Sequence, residues 1–432
     1  MKENITYPMN ANQWETFKEW DQDRAMTEYN TTVCLPFERS SAGRFLRAMQ
    51  QILDEQRYLH IHLVRQDGDI MVCEDWQMPN KVHHLHMSDS EWEEAQASFT
   101  KPFDPFGEAC IRLHLVETDS KMYAVVETFH LLFDGLSHKA IWNSLEDALK
   151  GIPIYQQGDI AAEMNLREIA DYDSEAYRRA QAYYKASFSG IHFTDICHNS
   201  DSPWGRLIFS HPYFPATVID SGCQRLGVSP TVVFYAAYAL TLGQMAGKQK
   251  VMFYAINHGR ERRLSKYVYG NYLNSLPILI DINGQQSIRE LLQQTKFQLF
   301  VKMRNKPYPL DHLLRDIGLE DIGTEVSFEG NYIYEYLKVD GENHPTYHID
   351  PNLCFQHLAT CILLRDDQYE LVVDGSEALY THEQLNAFAQ KMGEYAIKLT
   401  TINETTPING LWKLYSIKYW VAHGQVINYE PQ

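Results

Sequence analysis

The chain has 432 residues, which exceeds the roughly 250–300 residues that one hydrophobic core can serve, so we expect two globular lobes. Its composition, 44% hydrophobic, 12% aromatic and 22% charged, excludes an intrinsically disordered or fibrous chain. The 38 Lys and Arg residues against 56 Asp and Glu residues give a net charge of −18, which disfavours nucleic acid and anionic membrane surfaces as partners.

The first half of the chain alternates helical and strand patterns. Apolar residues at helical spacing predict a helix from Ser41 to Glu55, and the apolar runs Leu59–Val64 and Ile70–Cys73 around an Asp-Gly turn predict a hairpin. The other elements predicted here are a short helix capped by Ser88, strands at Cys110–Val116 and Met122–His130, a helix that begins near Ser137, and a long polar helix from Leu166 to Phe188.

The second half repeats this mixture of helices and strands. Ser229 followed by Pro230 predicts the start of an apolar helix that continues to Met245. The other elements predicted here are strands at Lys250–Ile256, Leu276–Ile282, Glu325–Leu337, Phe355–Leu364 and Tyr369–Val373, and helices at Ser287–Met303 and Thr381–Leu399. An irregular segment, His198–Pro203, is the predicted connection, and we place the two lobes at residues 1–188 and 189–432.

The cysteines and the N-terminus indicate where the protein works. The 7 cysteines form no CxxC pair, and an odd count favours neither a disulfide framework nor a zinc site. The N-terminus lacks the apolar core of a signal peptide, and the apolar stretch Val232–Leu242 is shorter than the ~20 residues of a membrane span. We therefore expect a cytoplasmic protein.

The stretch with the clearest chemical content follows the strand Met122–Thr128. His130 stands at the C-terminal end of this strand, and Asp134 and Gly135 come just after it. A strand end beside a glycine turn is a common place for a rigid scaffold to present a reactive group. The spacing brings a base and an acid close in sequence, and the bare pattern also fits a structural histidine.

This stretch resembles the core motif, HHxxxDG, of condensation domains of nonribosomal peptide synthetases, which belong to the chloramphenicol-acetyltransferase-like superfamily. Phe129 stands at the first histidine of the motif and His130 at the second. Other segments resemble further family motifs in the expected order over residues 5–400; these are Tyr7-Pro8 with Gln13, Tyr29-Asn30, Phe103-Asp104 with Arg112, Gly259-Arg260, Gly270 to Pro277, and Pro309 to Leu313. In the Gly270 segment, Asn274-Ser275 replaces the more usual asparagine-threonine pair.

The resemblance implies a fold and a set of roles. The fold is an α/β two-layer sandwich, built as a pseudo-dimer of two acetyltransferase-like lobes that form a V with a central tunnel. His130 would accept a proton from an acceptor amine or hold that amine, and the Gly135 amide would stabilise the oxyanion. The residues with supporting or tunnel-lining roles are Asp134 paired with Arg260, Phe129 behind the strand, and Asn274 and Ser137 along the tunnel.

The implied reaction is amide formation between an acyl or aminoacyl thioester on a donor carrier protein and an amine on an acceptor carrier or a free molecule. The 4′-phosphopantetheine cofactor would arrive on the carriers, so no cofactor is expected to be bound permanently, and the chain would act as a monomer. The alternatives are an epimerization domain, a coenzyme A-dependent acyltransferase and a degenerate carrier-docking domain. The epimerization reading is weakened because Asn257 stands where those domains carry a catalytic glutamate.

A run of three histidines, His83-His84-Leu85-His86, raises the question of a metal site. The run precedes the helix cap at Ser88, and no carboxylate or cysteine lies at ligand spacing beside it. We therefore predict a solvated loop and no metal.

Overall fold

The computed structural model describes residues 3–197, 205–260, 266–305, 308–319, 324–330, 336–339, 342–349 and 357–413. Contacts between residues divide the chain into two compact units, each described here by itself. The first unit comprises residues 1–174, 258–273 and 332–352, and the second comprises residues 175–257, 274–331 and 353–432. The predicted connection at 198–203 lies outside the described residues.

Helices and strands alternate along the described chain, as a mixed α/β protein requires. The strands are β1 (Ile5–Pro8), β2 (Asn30–Glu38), β3 (Ile61–Gln66), β4 (Asp69–Glu74), β5 (Val82–His86), β6 (Ile111–Glu117), β7 (Lys121–Phe129), β8 (Leu207–Ser210), β9 (Tyr213–Pro215), β10 (Lys250–Asn257), β11 (Asn274–Asp281), β12 (Glu325–Gly330), β13 (Tyr336–Val339), β14 (Glu342–Pro345), β15 (Tyr347–Ile349), β16 (Ala359–Arg365) and β17 (Gln368–Ser376). The helices are α1 (Ala11–Gln22), α2 (Ala42–Glu55), α3 (Asp89–Ala95), α4 (Gly135–Leu149), α5 (Ile160–Asp171), α6 (Glu175–Phe188), α7 (Ala216–Leu226), α8 (Pro230–Ala246), α9 (Ile288–Arg304), α10 (Leu310–Ile317) and α11 (His382–Thr401).

The first unit is built on a five-stranded sheet with the order β15-β2-β7-β6-β5. Its central strand, β7, is buried over Ala124–Phe129 and pairs antiparallel with both β2 and β6. One face of the sheet packs on α2 and α4 through a core that includes Leu35, Phe45 and Trp142. Burial of both faces explains why β7 is a nearly continuous apolar run.

The second unit contains a sheet with the order β11-β10-β12-β16-β17-β8, and β9 also pairs with β17. Helix α8 begins as predicted, because the Ser229 side chain accepts a hydrogen bond from the Val232 amide and Pro230 occupies the first turn. Among the described residues, no single helix is long and apolar enough to cross a membrane. The pair α7 and α8 passes that test of length and composition, but the two helices meet at a bend of 103°.

The structure corrects three local predictions. The polar helix predicted from Leu166 to Phe188 is two helices, α5 and α6, separated at 172–174, where Asp and Ser compete with helical hydrogen bonding. The helix predicted to begin near Ser137 begins at Gly135, so this glycine lies in the first helical turn rather than in the preceding turn. The histidine run predicted as a loop is strand β5, because it pairs in parallel with β6.

The division by contacts also differs from a single boundary between residues 188 and 189. Helix α6 belongs to the second unit, and two segments beyond residue 189 return to the first. One of them brings β15, which pairs with β2, and the other brings Arg260 to Asp134. Such long-range pairing leaves no periodic signal in the sequence, so a linear boundary could not represent it.

Candidate functional site

The site is built where β7 ends and α4 begins. Phe129 is the last residue of β7 and lies opposite Asn30 of β2. The next amide, that of His130, donates to the carbonyl of Tyr29 at 2.7 Å, and the amides of Leu132 and Phe133 return to the Phe129 carbonyl. The strand therefore fixes the backbone of His130 before the chain turns into the helix.

Asp134 is the N-cap of α4. Its side chain accepts from the Ser137 amide at 3.0 Å, and Ser137 reciprocates in a capping box. The same carboxylate forms a bidentate ion pair with Arg260, including an Nη2 to Oδ1 bond of 2.8 Å. The side chains are almost fully buried, with exposures of 0% for Asp134 and 1% for Arg260. Asp134 therefore points into the protein and joins the helix start to the segment that carries Arg260.

The ionisation of Asp134 depends on this pairing. Burial alone would raise the pKa of its carboxyl, but the Arg260 guanidinium, its hydrogen bonds and the Tyr272 amide lower that pKa below the usual value. The buried carboxylate is therefore charged at neutral pH. A charged group of this kind is tolerated in an interior only when it is paired and hydrogen-bonded.

Two glycines shape the segment that faces Asp134. Gly259 has φ +68 and a β-carbon there would lie 1.9 Å from the Tyr272 carbonyl oxygen, whereas Gly270 has φ +149 and a β-carbon would lie 2.2 Å from the Tyr272 ring. Both positions therefore require glycine. The Gly270 carbonyl accepts from Ser137 Oγ at 2.8 Å and from Arg260 Nη2 at 2.9 Å, which fixes the segment against α4.

His130 is a half-buried residue that Asn271 contacts at both the backbone and the ring. The Asn271 Nδ2 atom donates to the His130 carbonyl at 2.5 Å and lies 3.3 Å from the ring Nδ1 atom. Burial lowers the pKa of His130 below 6.5, although its own carbonyl and the charge of Asp134 act in the opposite direction. The imidazole is consequently neutral at pH 7, which leaves a ring nitrogen able to accept a proton.

Comparison with known families decides the identity. The model of the Condensation domain family matches residues 4–386, which is most of the chain. The chain belongs to the condensation-domain family. Amide-bond formation in nonribosomal peptide synthesis is the general function of this family.

Curated relatives share low identity with this condensation domain. Tyrocidine synthase 2 of Brevibacillus parabrevis is 18% identical over 76% of this chain, and surfactin synthase subunit 2 of Bacillus subtilis is 20% identical over 72%. The chain spans 10% and 9% of the lengths of those two proteins. The similarity therefore concerns one domain of much longer synthetases.

Solved structures agree on the fold. The starter condensation domain of rhizomide synthetase superposes with a TM-score of 0.77 at 17% identity, covering 95% of this chain and 100% of that chain. The first condensation domain of the calcium-dependent antibiotic synthetase gives a TM-score of 0.77 at 15% identity, covering 95% and 99%. At these identities the comparison establishes the shared fold.

Residues near the opening motif of the condensation domain contact Asn271, the residue that holds His130. Asn10 caps α1 in a capping box with Gln13, and Asn10 Nδ2 also donates to the Asn271 carbonyl at 2.9 Å. Asn165 Nδ2 donates to the Gln13 side chain at 2.8 Å, and Asn12 Nδ2 reaches the Asn271 side chain at 2.9 Å. This polar network links the first helix to the residue that holds His130.

Arg112, the arginine of the strand before the core motif, has a structural role. It donates to Glu127 at 2.7 Å and to Glu108 at 2.7 Å, and its guanidinium lies 3.9 Å from the Phe103 ring centroid. Glu127 is buried on β7 and also accepts from Asn30 at 2.7 Å. These contacts hold β2, β6 and β7 together just before the strand end.

Phe129 stands at the position of the first histidine of the motif and is an aromatic core residue. Its ring is 1% exposed, stacks on Phe103 at a centroid distance of 5.6 Å and meets Trp20 edge-on at 6.4 Å. Phe129 thus packs at the strand end through apolar contacts, and the supporting role that the resemblance implies stays a prediction.

The remaining residues of the predicted site fall in different places. Ser137, expected along a tunnel, is fully buried and bonds to Asp134 and Gly270 as part of the support network. Asn274 begins β11 and belongs to the second unit, so its tunnel-lining role stays a prediction. Asn271 was missed because it stands at a position that the family motif leaves variable, and only its contacts reveal its importance.

Replacing Asp134 by Asn tests the buried ion pair. Asn keeps a good N-cap for α4 but leaves the Arg260 charge without its partner, so we expect Asp134→Asn to lower the free energy of unfolding by about 3–5 kcal/mol. Denaturant unfolding gives this value. Asp21→Asn, which breaks an ion pair whose side chains are 44% and 62% exposed, is the matched control and should cost less than about 1 kcal/mol. Equal stability of the two variants would contradict the assignment.

Introducing the motif's first histidine at position 129 tests whether that histidine contributes to stability or to the reaction. An imidazole among Phe103 and Trp20 has no polar partner, so we expect Phe129→His to lower the free energy of unfolding by about 1–3 kcal/mol. The rate of amide formation should stay within about threefold of the parent rate, because the ring faces the core rather than the site. A gain of tenfold or more would instead give the first histidine a part in the reaction.

Proposed function

We propose that this condensation domain transfers an acyl or aminoacyl group from a thioester on a donor carrier protein to the amine of an acceptor, which is either carrier-bound or free. The observation that supports this most strongly is the neutral imidazole of His130, a half-buried residue that Asn271 holds at the end of a rigid strand. A double mutant of the starter condensation domain of rhizomide synthetase was crystallised in complex with C8-CoA and Leu-SNAC. A bound pair of that kind is compatible with the donor and acceptor proposed here.

His130 acts on the acceptor amine. In the neutral imidazole one ring nitrogen carries no proton, and that nitrogen accepts a hydrogen bond or a proton from the amine. The amine nitrogen attacks the thioester carbonyl, the carbon–sulfur bond breaks, and the proton lost by the amine ends on the departing sulfur. His130 either carries that proton or holds the amine in line for attack.

Gly135 offers the complementary group. It is the first residue of α4, directly after the Asp134 cap, so its N–H belongs to the first helical turn, whose N–H groups lack an intrahelical acceptor. The positive end of the helix dipole adds to this donor. We assign the Gly135 amide to the oxyanion that forms at the thioester carbonyl, where one such donor can contribute about 10²–10³-fold in rate.

Positioning is expected to contribute more than proton transfer. General-base catalysis supplies about 3–5 kcal/mol, whereas aligning two tethered reactants can supply about 7–11 kcal/mol. Because the thioester is already an activated acyl donor, the smaller contribution from general-base catalysis is sufficient for the proton transfer. The network of Asp134, Arg260 and Asn271 therefore serves the reaction by fixing where His130 stands.

The partners follow from the same chemistry. Donor and acceptor carrier proteins would bring 4′-phosphopantetheine thiols to the site, so the cofactor is part of the substrates rather than of this chain. A monomeric state and a cytoplasmic location are further proposals, which rest on the family resemblance and on the cysteine pattern respectively.

Removing the imidazole tests the catalytic assignment. We expect His130→Ala to slow single-turnover amide formation by about 10²–10⁴-fold, because the proton acceptor and the contact to the amine are both lost. The measurement is mass-spectrometric detection of amide from an aminoacyl-loaded carrier and a panel of amines. Carrier binding should be retained, and the exposed His382→Ala variant should keep the parent rate. An unchanged rate in His130→Ala would remove His130 from the chemistry, and α-hydrogen exchange with deuterated water would indicate epimerization instead.

The pH dependence tests the protonation state. Because burial lowers the pKa of His130 below 6.5, the neutral base is lost only as pH falls through that lowered value. The ratio of the parent rate to the His130→Ala rate removes the titration of the amine itself, which both proteins share. We expect this ratio to be level near pH 7–8 and to fall below about pH 6.5. A fall centred above pH 7 would contradict the assignment.

A further inference from the structure

The histidine strand β5 carries a cluster that the condensation reaction does not use. Residues two apart on a strand share a face, so His84 and His86 project together. In the parallel pairing of β5 with β6, His86 lies opposite Glu117, which brings a carboxylate to the same face. His84 and Glu117 are 33 positions apart in sequence, so the register of the sheet is what brings them together.

The distances between the donor atoms of these three side chains suit the binding of one shared metal ion. His84 Nε2 lies 2.6 Å from one carboxylate oxygen of Glu117, and His86 Nδ1 lies 3.9 Å from the other. The ring centroids of the two histidines are 4.6 Å apart, and all three ligand atoms lie within 4.8 Å of one another. A tetrahedral zinc ion with bonds of about 2.0–2.1 Å needs its ligands about 3.3 Å apart, which small side-chain rotations would provide.

We propose that His84, His86 and Glu117 form a surface site that binds a divalent transition-metal ion, namely Zn²⁺. Two imidazoles and one carboxylate are the donor set that zinc accepts, and three protein ligands leave a fourth position for water. The metal would join β5, an edge strand of the sheet, to its neighbour β6 and so stabilise that edge.

One neighbouring charge opposes the metal. Arg39 Nε lies 3.6 Å from the Glu117 carboxylate, and its side chain is 54% exposed. An exposed ion pair contributes little, so the guanidinium can move into solvent when the metal binds. Removing Arg39 should therefore strengthen metal binding rather than weaken it.

The test is calorimetric titration of the untagged, metal-free protein with ZnCl₂. We expect one Zn²⁺ per chain, with affinity at least about tenfold weaker in His84→Ala and in Glu117→Gln and up to about fivefold tighter in Arg39→Ala. His83→Ala is the matched control, because His83 lies on the opposite face of β5, stacked on His114 at 5.1 Å, and it should bind as the parent does.

A second readout follows the strand itself. Backbone amides of β5 should exchange with deuterium more slowly in the parent protein when Zn²⁺ is present, and His84→Ala should lose this protection. The proposal is overturned if the parent protein binds no Zn²⁺. It is equally overturned if His84→Ala and Glu117→Gln bind as tightly as His83→Ala.

Discussion

The buried ion pair between Asp134 and Arg260 is the interaction on which the rest of the site depends. One carboxylate caps α4, pairs with the guanidinium and accepts from the Tyr272 amide, so it joins the strand end to a segment more than a hundred residues later. Neither charge could remain in this interior alone, since an unpaired buried charge costs several kcal/mol. The pair therefore requires both segments to be in place at once.

The segment held by this pair carries Asn271, and Asn271 holds His130. The contacts form a series. The Asp134–Arg260 ion pair fixes the segment whose backbone Gly259 and Gly270 shape, and Asn271 of that segment contacts the carbonyl and the ring of His130. Polar groups of α1 reach the same asparagine from the other side. The segments around Gln13, His130 and Gly270, which lie far apart in sequence, thus meet at Asn271. The contacts made by these segments support the histidine.

Local physics could be predicted from the sequence. The cap at Ser229, the apolar length of α8 and the hairpin of β3 and β4 follow from short-range patterns, and the structure confirms them. The division into units, the contact of Asn271 with His130 and the conversion of the histidine run into strand β5 depend on pairing between distant segments. The carboxylate of Glu117 was overlooked for the same reason, because sheet register, not sequence spacing, places it beside His84.

A double-mutant cycle on Asp134 and Arg260 tests the central claim most directly. The free energies of unfolding of the parent, Asp134→Asn, Arg260→Met and the double variant give the coupling energy of the pair. We predict a favourable coupling of about 1–3 kcal/mol, so that the double variant is more stable than the sum of the single losses implies. Additivity within about 0.5 kcal/mol would show that the two side chains act independently, and the proposed support of His130 would then be contradicted.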